Sequence, residues 1–223
     1  MSEWWTYRLG DFLLFSPETY YRLFELYNRA LWPLHLLALS AGVAIAVLPF
    51  RPVTRAAGRI VAALLALAWI WVAWAFLLER YATINWAARW FAAAFVAEAL
   101  LLAWVGVIRD RLPVPEHLTL PRHAGFALFG FALVAQPLIG LAAGRTWSQI
   151  EVFGMAPDPT AVATLGALLF LGRKPSVLLL VIPLLWCAVS GATLWALRAP
   201  EALVLPIAGA IAACIAFWRR RGA

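Results

Sequence analysis

Glu98 is the residue best placed to do chemistry. It lies in Phe95-Val96-Ala97-Glu98-Ala99-Leu100, near the middle of an apolar run over 86–108. An acidic side chain deep in hydrocarbon is costly, so it faces the interior of a helix bundle and marks a pathway or a partner. A carboxyl there can bind and release a proton. It would serve equally as a neutral acid hydrogen-bonded to a neighbouring helix. His35, Gln136 and Ser190 each lie six or seven residues inside one end of another apolar run. At about 1.5 Å per residue they sit about 10 Å deep, with Glu98 about 8 Å deeper. Facing one another, they would form a polar path leading down to Glu98. Scattered interhelical hydrogen bonds would leave the same sequence.

A second constellation surrounds Gly154-Met155-Ala156-Pro157-Asp158-Pro159-Thr160. Asp158 is expected to cap a helix whose first residue is Pro159. A helix that begins inside protein offers free N–H groups to an anion or polar solute. One that begins at the surface is merely capped. Thr160 and Thr164, at i and i+4, either line a path or bond their own backbone.

Other chemistries lack their residues. A retinal Schiff base needs an intramembrane lysine, and the only lysine, Lys174, falls in a basic turn with Arg173. Of three histidines only His35 lies clearly within an apolar run, so one chain cannot supply two axial haem ligands there. There is no H-E-x-x-H, G-x-S-x-G or P-loop, and Cys187 and Cys214 lack metal or disulfide spacing. An intramembrane hydrolase would have to draw on Ser190 with His35. No cofactor is implied.

The elements that must position these residues are membrane helices. Of 223 residues 65% are hydrophobic and 13% charged, with a mean hydropathy of +0.84, which excludes an ordinary soluble domain. Seven apolar segments are predicted, at 29–49, 58–78, 86–108, 123–143, 159–172, 176–197 and 201–218. Six are long enough to cross a hydrocarbon core of about 30 Å, whereas the fifth is only about 20 Å long. The fold expected is an all-α polytopic transmembrane bundle of about seven spans, the fifth short or discontinuous. Before it, Ser16-Pro17 opens an amphipathic helix, with Tyr20, Phe24, Tyr27 and Leu31 on one stripe and Arg22, Glu25 and Arg29 on another. The expected organisation is an interfacial segment 1–28, a membrane domain 29–218 and a basic tail 219–223. A weaker pattern, Pro33-Leu34, Ala38 and Ser40 against Pro183-Leu184, Ala188 and Ser190, would fit an inverted repeat.

Charge sets the expected orientation. The net charge is +7. With the N-terminus outside, the inner segments hold Arg51, Arg55, Arg59, Arg109, Arg111, Arg122, Arg173, Lys174, Arg219, Arg220 and Arg221, and most acidic residues fall outside. Many of the 13 tryptophans sit near predicted interfaces. The basic excess is then an address in the membrane rather than a nucleic-acid surface. The start, Met1-Ser2-Glu3-Trp4-Trp5, lacks the basic and apolar regions of a cleavable signal.

Some motifs also resemble a family. Ser2-Glu3-Trp4-Trp5-Thr6-Tyr7, Asp11-Phe12-Leu13-Leu14-Phe15-Ser16-Pro17 and Tyr20-Tyr21-Arg22-Leu23-Phe24 are similar to the start of an uncharacterised, domain-of-unknown-function family of bacterial polytopic membrane proteins. Glu151-Val152-Phe153-Gly154, Pro157-Asp158-Pro159-Thr160 and Leu184-Leu185-Trp186-Cys187 are similar too. The resemblance implies a bacterial inner-membrane protein and transfers no catalytic residue.

The function expected is a channel or transporter for a small solute or protons, with Glu98 as the ion-binding group. The rival is a non-catalytic accessory or assembly subunit of a larger membrane complex. A weaker rival is an intramembrane enzyme or cofactor-binding protein. The partners implied are the lipid bilayer and either further copies of the chain or subunits of a complex, with no nucleic acid.

Overall fold

Ser16 accepts a hydrogen bond from the Thr19 N–H at 3.3 Å, and Pro17 takes the first helical position. In the computed structural model this opens α1, Pro17–Leu31. The structure describes residues 15–50, 55–115, 117, 119–171 and 176–221. The N-terminal motif as far as Leu14, Arg51, Glu116, the Arg173–Lys174 turn and Gly222–Ala223 lie outside the described residues. The amphipathic pattern of α1 is as read from sequence. Tyr20, Leu23, Phe24 and Tyr27 are buried, while Arg22 and Arg29 reach Glu25 at 2.9 and 2.8 Å on the other face.

After a cis Trp32–Pro33 bond the chain turns by 91° into α2, Leu34–Val47, continued by a short 3-10 turn to Phe50. α3 (Arg55–Trp71) runs on into a π-helical stretch, Val72–Leu78, and α4 (Ala88–Leu102) into another, Ala103–Ile108. α5 (Leu120–Gly130) and α6 (Gln136–Ala142) form one rod joined by a π-helical stretch, Phe131–Ala135. α7 (Pro157–Phe170), α8 (Val177–Ala196) and α9 (Val204–Arg221) complete an all-α bundle. α9 stays helical through Arg221, so the expected tail begins as helix.

All seven apolar segments are helical, but they are not equivalent. Among the described residues four helices, Ala56–Thr83, Ala88–Ile108, Leu120–Ala142 and Val177–Ala196, are long and apolar enough to cross a membrane alone. α1 with Leu34–Phe50 makes a fifth only as a bent pair, and Val204–Trp218 is shorter. By length and composition the described residues thus supply four or five spans, within the all-α bundle expected from sequence. The run at 29–49 is cut by the bend at Pro33, and the helix in the last begins only at Val204. The two stretches of the possible repeat differ locally, since Pro33 stands in a break between helices whereas Pro183 lies inside α8.

α7 forms the centre. Every one of its 14 residues is buried. A helix apolar on all sides belongs inside a bundle, not against solvent. α5, α8, α9 and α3 pack around it. Against α5 the approach is set by two glycines. A Cβ on Gly125 would lie 2.7 Å from the Gly166 oxygen, and one on Gly166 would lie 2.7 Å from the Gly125 oxygen. Backbone touches backbone there, so neither position has room for a side chain.

Candidate functional site

α7 begins two residues earlier than a cap at Asp158 would require. Its N-cap is Ala156, and Pro157 and Pro159 both fall in the first turn, where a missing N–H costs nothing. Asp158 is therefore not the cap. Its carboxylate turns to α8, accepting from the Trp186 indole N–H at 2.8 Å and from the Ser190 hydroxyl at 2.7 Å. Asp158 is 1% exposed.

The two threonines settle into backbone bonding. Thr160 donates to the Ala156 carbonyl at 2.7 Å and accepts from the Gly154 N–H at 2.9 Å. Thr164 donates to the Thr160 carbonyl at 2.8 Å and accepts from the Trp69 indole at 2.8 Å. These bonds occupy both hydroxyls and join α7 to the preceding loop and to α3.

Three charged residues complete the site, and two helix ends deliver them. At the end of α6 the Gly144 N–H reaches the Leu141 carbonyl at 3.0 Å and the Arg145 N–H reaches that of Gly140 at 3.0 Å. This Schellman closure needs a left-handed residue, and Gly144 supplies it with φ of 90°. The chain doubles back, and the Arg145 side chain lies over Gly140, 3.4 Å from where a Cβ there would stand. α8 ends likewise, with Arg198 N–H on Trp195 and Ala199 N–H on Leu194, which brings Glu201 round to the same place. Between them Thr146 and Gln149 form a capping box around a short 3-10 turn, from which Glu151 enters the bundle.

Arg145 holds both carboxylates. Its Nη1 donates to Glu151 Oε1 at 2.7 Å, and its Nη2 donates to Glu201 Oε1. The Tyr21 ring covers the guanidinium, with its centroid 4.5 Å from Cζ. Gln136, Arg145, Glu151, Asp158 and Glu201 line one cavity of about 20 Å³, walled on the apolar side by Ile139, Leu194 and Leu205. Three carboxyl groups thus share a buried compartment with one guanidinium. Burial, the largest cause, pushes the Glu151 carboxyl well above the usual carboxylate range. The Asp158 carboxyl pushes the same way, against the pull of Arg145. For Arg145, burial works against the charge, but Glu151 and Glu201 outweigh it and secure the cation. Tyr21, which covers the guanidinium, also lines an open groove of about 720 Å³, together with Glu18, Arg22, Glu79 and Arg80 among others.

Of the residues singled out from sequence, Gln136, Asp158 and Ser190 come together here. His35 does not join them. Its Nε2 meets Asn28 Oδ1 at 3.0 Å, while the Asn28 amide donates to the Ser148 and Ile150 carbonyls at 2.9 and 2.8 Å. Because that amide oxygen can only accept, Nε2 carries the proton. Glu98 lies deeper and apart. It is wholly buried, and neither carboxyl oxygen has a hydrogen-bond partner among the described residues. Phe95, one turn away on the buried stripe of α4, packs on Trp69 at 4.2 Å and on Trp186 at 5.0 Å between ring centroids. Trp186 therefore stands between Asp158 and the Glu98 helix.

Sequence reasoning missed Arg145, Glu151 and Glu201, which look like ordinary loop charges. One signal was present: Glu151 is the first residue of the run Glu151-Val152-Phe153-Gly154-Met155, whose other members are apolar or glycine. No group of three or more acidic, histidine or cysteine side chains is arranged to hold a metal ion among the described residues.

Fold and site define a class: an all-α protein with helices fit to span a membrane and a buried arginine–carboxylate cluster at one end of its central helix. The chain belongs to a family of unknown function, DUF6064, whose model matches residues 17–223. No curated protein and no solved structure is significantly similar to it.

Proposed function

We propose that the protein binds protons at its outward face and passes them into the bundle toward Glu98. The observation that carries this reading is the charge imbalance: Asp158, Glu151 and Glu201 share one buried compartment with Arg145 alone. Uncompensated charge is too costly to leave in a low-dielectric site, so the compartment holds at least one proton. The positive-inside bias of the sequence supports an orientation with the Arg145 end outside and the C-terminus in the cytoplasm, and the family resemblance supports a bacterial inner membrane. Complete burial of α7 favours protons over a larger solute, because helix occupies the axis along which a solute would move. Glu98 is the inner station. Between it and Asp158 the Phe95–Trp186 contact is apolar, and a proton crosses only when side chains move or water enters.

The test is purified protein in liposomes carrying an internal pH dye, with a potassium-diffusion potential as driving force. Acidification should exceed that of protein-free liposomes and fall at least tenfold in Glu98→Gln. Wild-type flux equal to that of empty liposomes would sink the reading. The same packed centre also favours a second one, an accessory subunit of a membrane complex. That reading expects no flux, and stable copurification through α1 and exposed tryptophans such as Trp32 and Trp147.

A further inference from the structure

Four polar atoms in the outer compartment, Gln136 Oε1, Glu151 Oε2, Glu201 Oε2 and Arg145 Nε, have no complementary hydrogen-bond partner among the described residues, the Glu151 carboxyl lying against the like carboxyl of Asp158. Their residues all line the cavity of about 20 Å³, and Gln136, Glu151 and Glu201 are 8%, 6% and 9% exposed. Buried polar atoms left this way cost about 1–3 kcal/mol each, and a native fold satisfies them with protein or water. A water needs at least about 10–15 Å³ and two to four polar partners. The cavity offers both, with room for one such molecule and for nothing larger. Its donors and acceptors also match, with one N–H to give and three oxygens to receive.

We propose that this cavity is a binding site for a single water molecule, and that this water is the relay by which the compartment exchanges its proton with the outer medium. The water accepts from the Arg145 Nε–H and donates to Gln136 Oε1 and to one carboxylate. In exchange, an incoming proton adds to the water oxygen and a different proton leaves it for the Glu151 carboxylate. The water is regenerated, and the compartment gains one positive charge. The groups acting on Glu151 are Arg145 and Glu201 from the flanking loops, Asp158 from α7, and Tyr20 and Tyr21 from α1. Cys187 of α8 and Tyr81 feel the Asp158 charge. Gln136 is the neutral member, which makes it the position to vary without altering charge.

The inference rests on the proton-binding reading for its purpose but is tested separately from it. Water-edited solid-state NMR on protein with carbon-labelled Glu and Gln, in liposomes, reads transfer from bound water to assigned side-chain carbons. Transfer to the Glu151 and Glu201 carboxyl carbons is expected in the wild type. It should fall at least threefold in Gln136→Leu, which keeps the size and removes the acceptor without altering charge. Ile139→Phe, which fills the cavity from its apolar wall, should give the same loss and stands in if the leucine variant does not fold. Absence of transfer in the wild type, or equal transfer in both cavity variants, would overturn the site. So would a rise in melting temperature specific to sodium over choline chloride, which would assign the cavity to a metal ion. Water transfer without liposome flux would leave the site standing and remove the transport reading. Flux without water transfer would do the opposite.

Discussion

The Ser190 hydroxyl of α8 donates to Asp158 Oδ2 of α7 at 2.7 Å, across 32 residues of chain. With the Trp186 indole on Oδ1, it gives both oxygens of a buried carboxylate a partner from a single neighbouring helix. The start of the central helix is thereby fixed against α8, and Asp158 also lines the cavity shared with Arg145.

Arg145→Met should destabilise the protein by about 3–5 kcal/mol, because Glu151 and Glu201 would be left buried without their cation. Arg59→Ala breaks only the half-exposed pair with Asp110 and should cost no more than about 1 kcal/mol. Thermal unfolding of the two variants in detergent makes the comparison.

Stability should fall as pH rises. The Glu151 carboxyl titrates higher in the folded protein than in the unfolded chain, so the native state binds the extra proton between those two values. Its contribution is fully present below the ordinary carboxylate range and is lost as pH climbs through the raised value. Melting temperature against pH should show this decline in the wild type and a flatter profile in Glu151→Gln. A profile that rises over the same interval would refute the assignment.

Glu98→Leu should separate function from folding. Both carboxyl oxygens are unpartnered and buried, so an apolar side chain of similar size removes a desolvation cost of about 1–3 kcal/mol. The variant should melt higher than the wild type while its proton flux is lost. A lower melting temperature would mean that the carboxyl is held by a bond essential to the fold.

Gly166→Ala should be poorly tolerated, costing at least about 1–3 kcal/mol, because its Cβ would press on the α5 backbone at Gly125 and Phe129. Gly130→Ala is the matched control. Its Cβ would meet nothing within 4 Å, and alanine suits a helix better. The yield of monodisperse protein and its melting temperature should distinguish them.

Much of this fold is written locally. Ser16-Pro17 announces the start of α1, and the apolar runs announce the long helices, because hydropathy and capping depend on neighbours in sequence. The central place of α7 is not written that way. Hydropathy scores a leucine facing lipid and a leucine facing protein alike, so Pro157–Phe170 reads only as a span that is too short. The site was half legible. Gln136, Asp158 and Ser190 stood out as polar groups in or beside apolar segments, whereas Arg145, Glu151 and Glu201 sit in loops where charge is ordinary. Arg145 meets Glu201 across 56 residues, a pairing set by two helix ends folding back and by nothing local. His35 stands out for the same reason as Ser190, but it ties α2 to Asn28 of α1, which in turn holds the Ser148–Ile150 loop ahead of α7.

The wholly enclosed α7 bears on how the chain is made. Its 14 residues reach only about 21 Å, short of the hydrocarbon thickness, and it carries Asp158 in its first turn. Such a segment has little reason to leave an insertion machine for lipid by itself. It must be handed directly to a cradle of longer helices, two of which, α8 and α9, are synthesised after it. Helices made after it are thus among those that seal it in, and a chain truncated before α8 would expose its own centre.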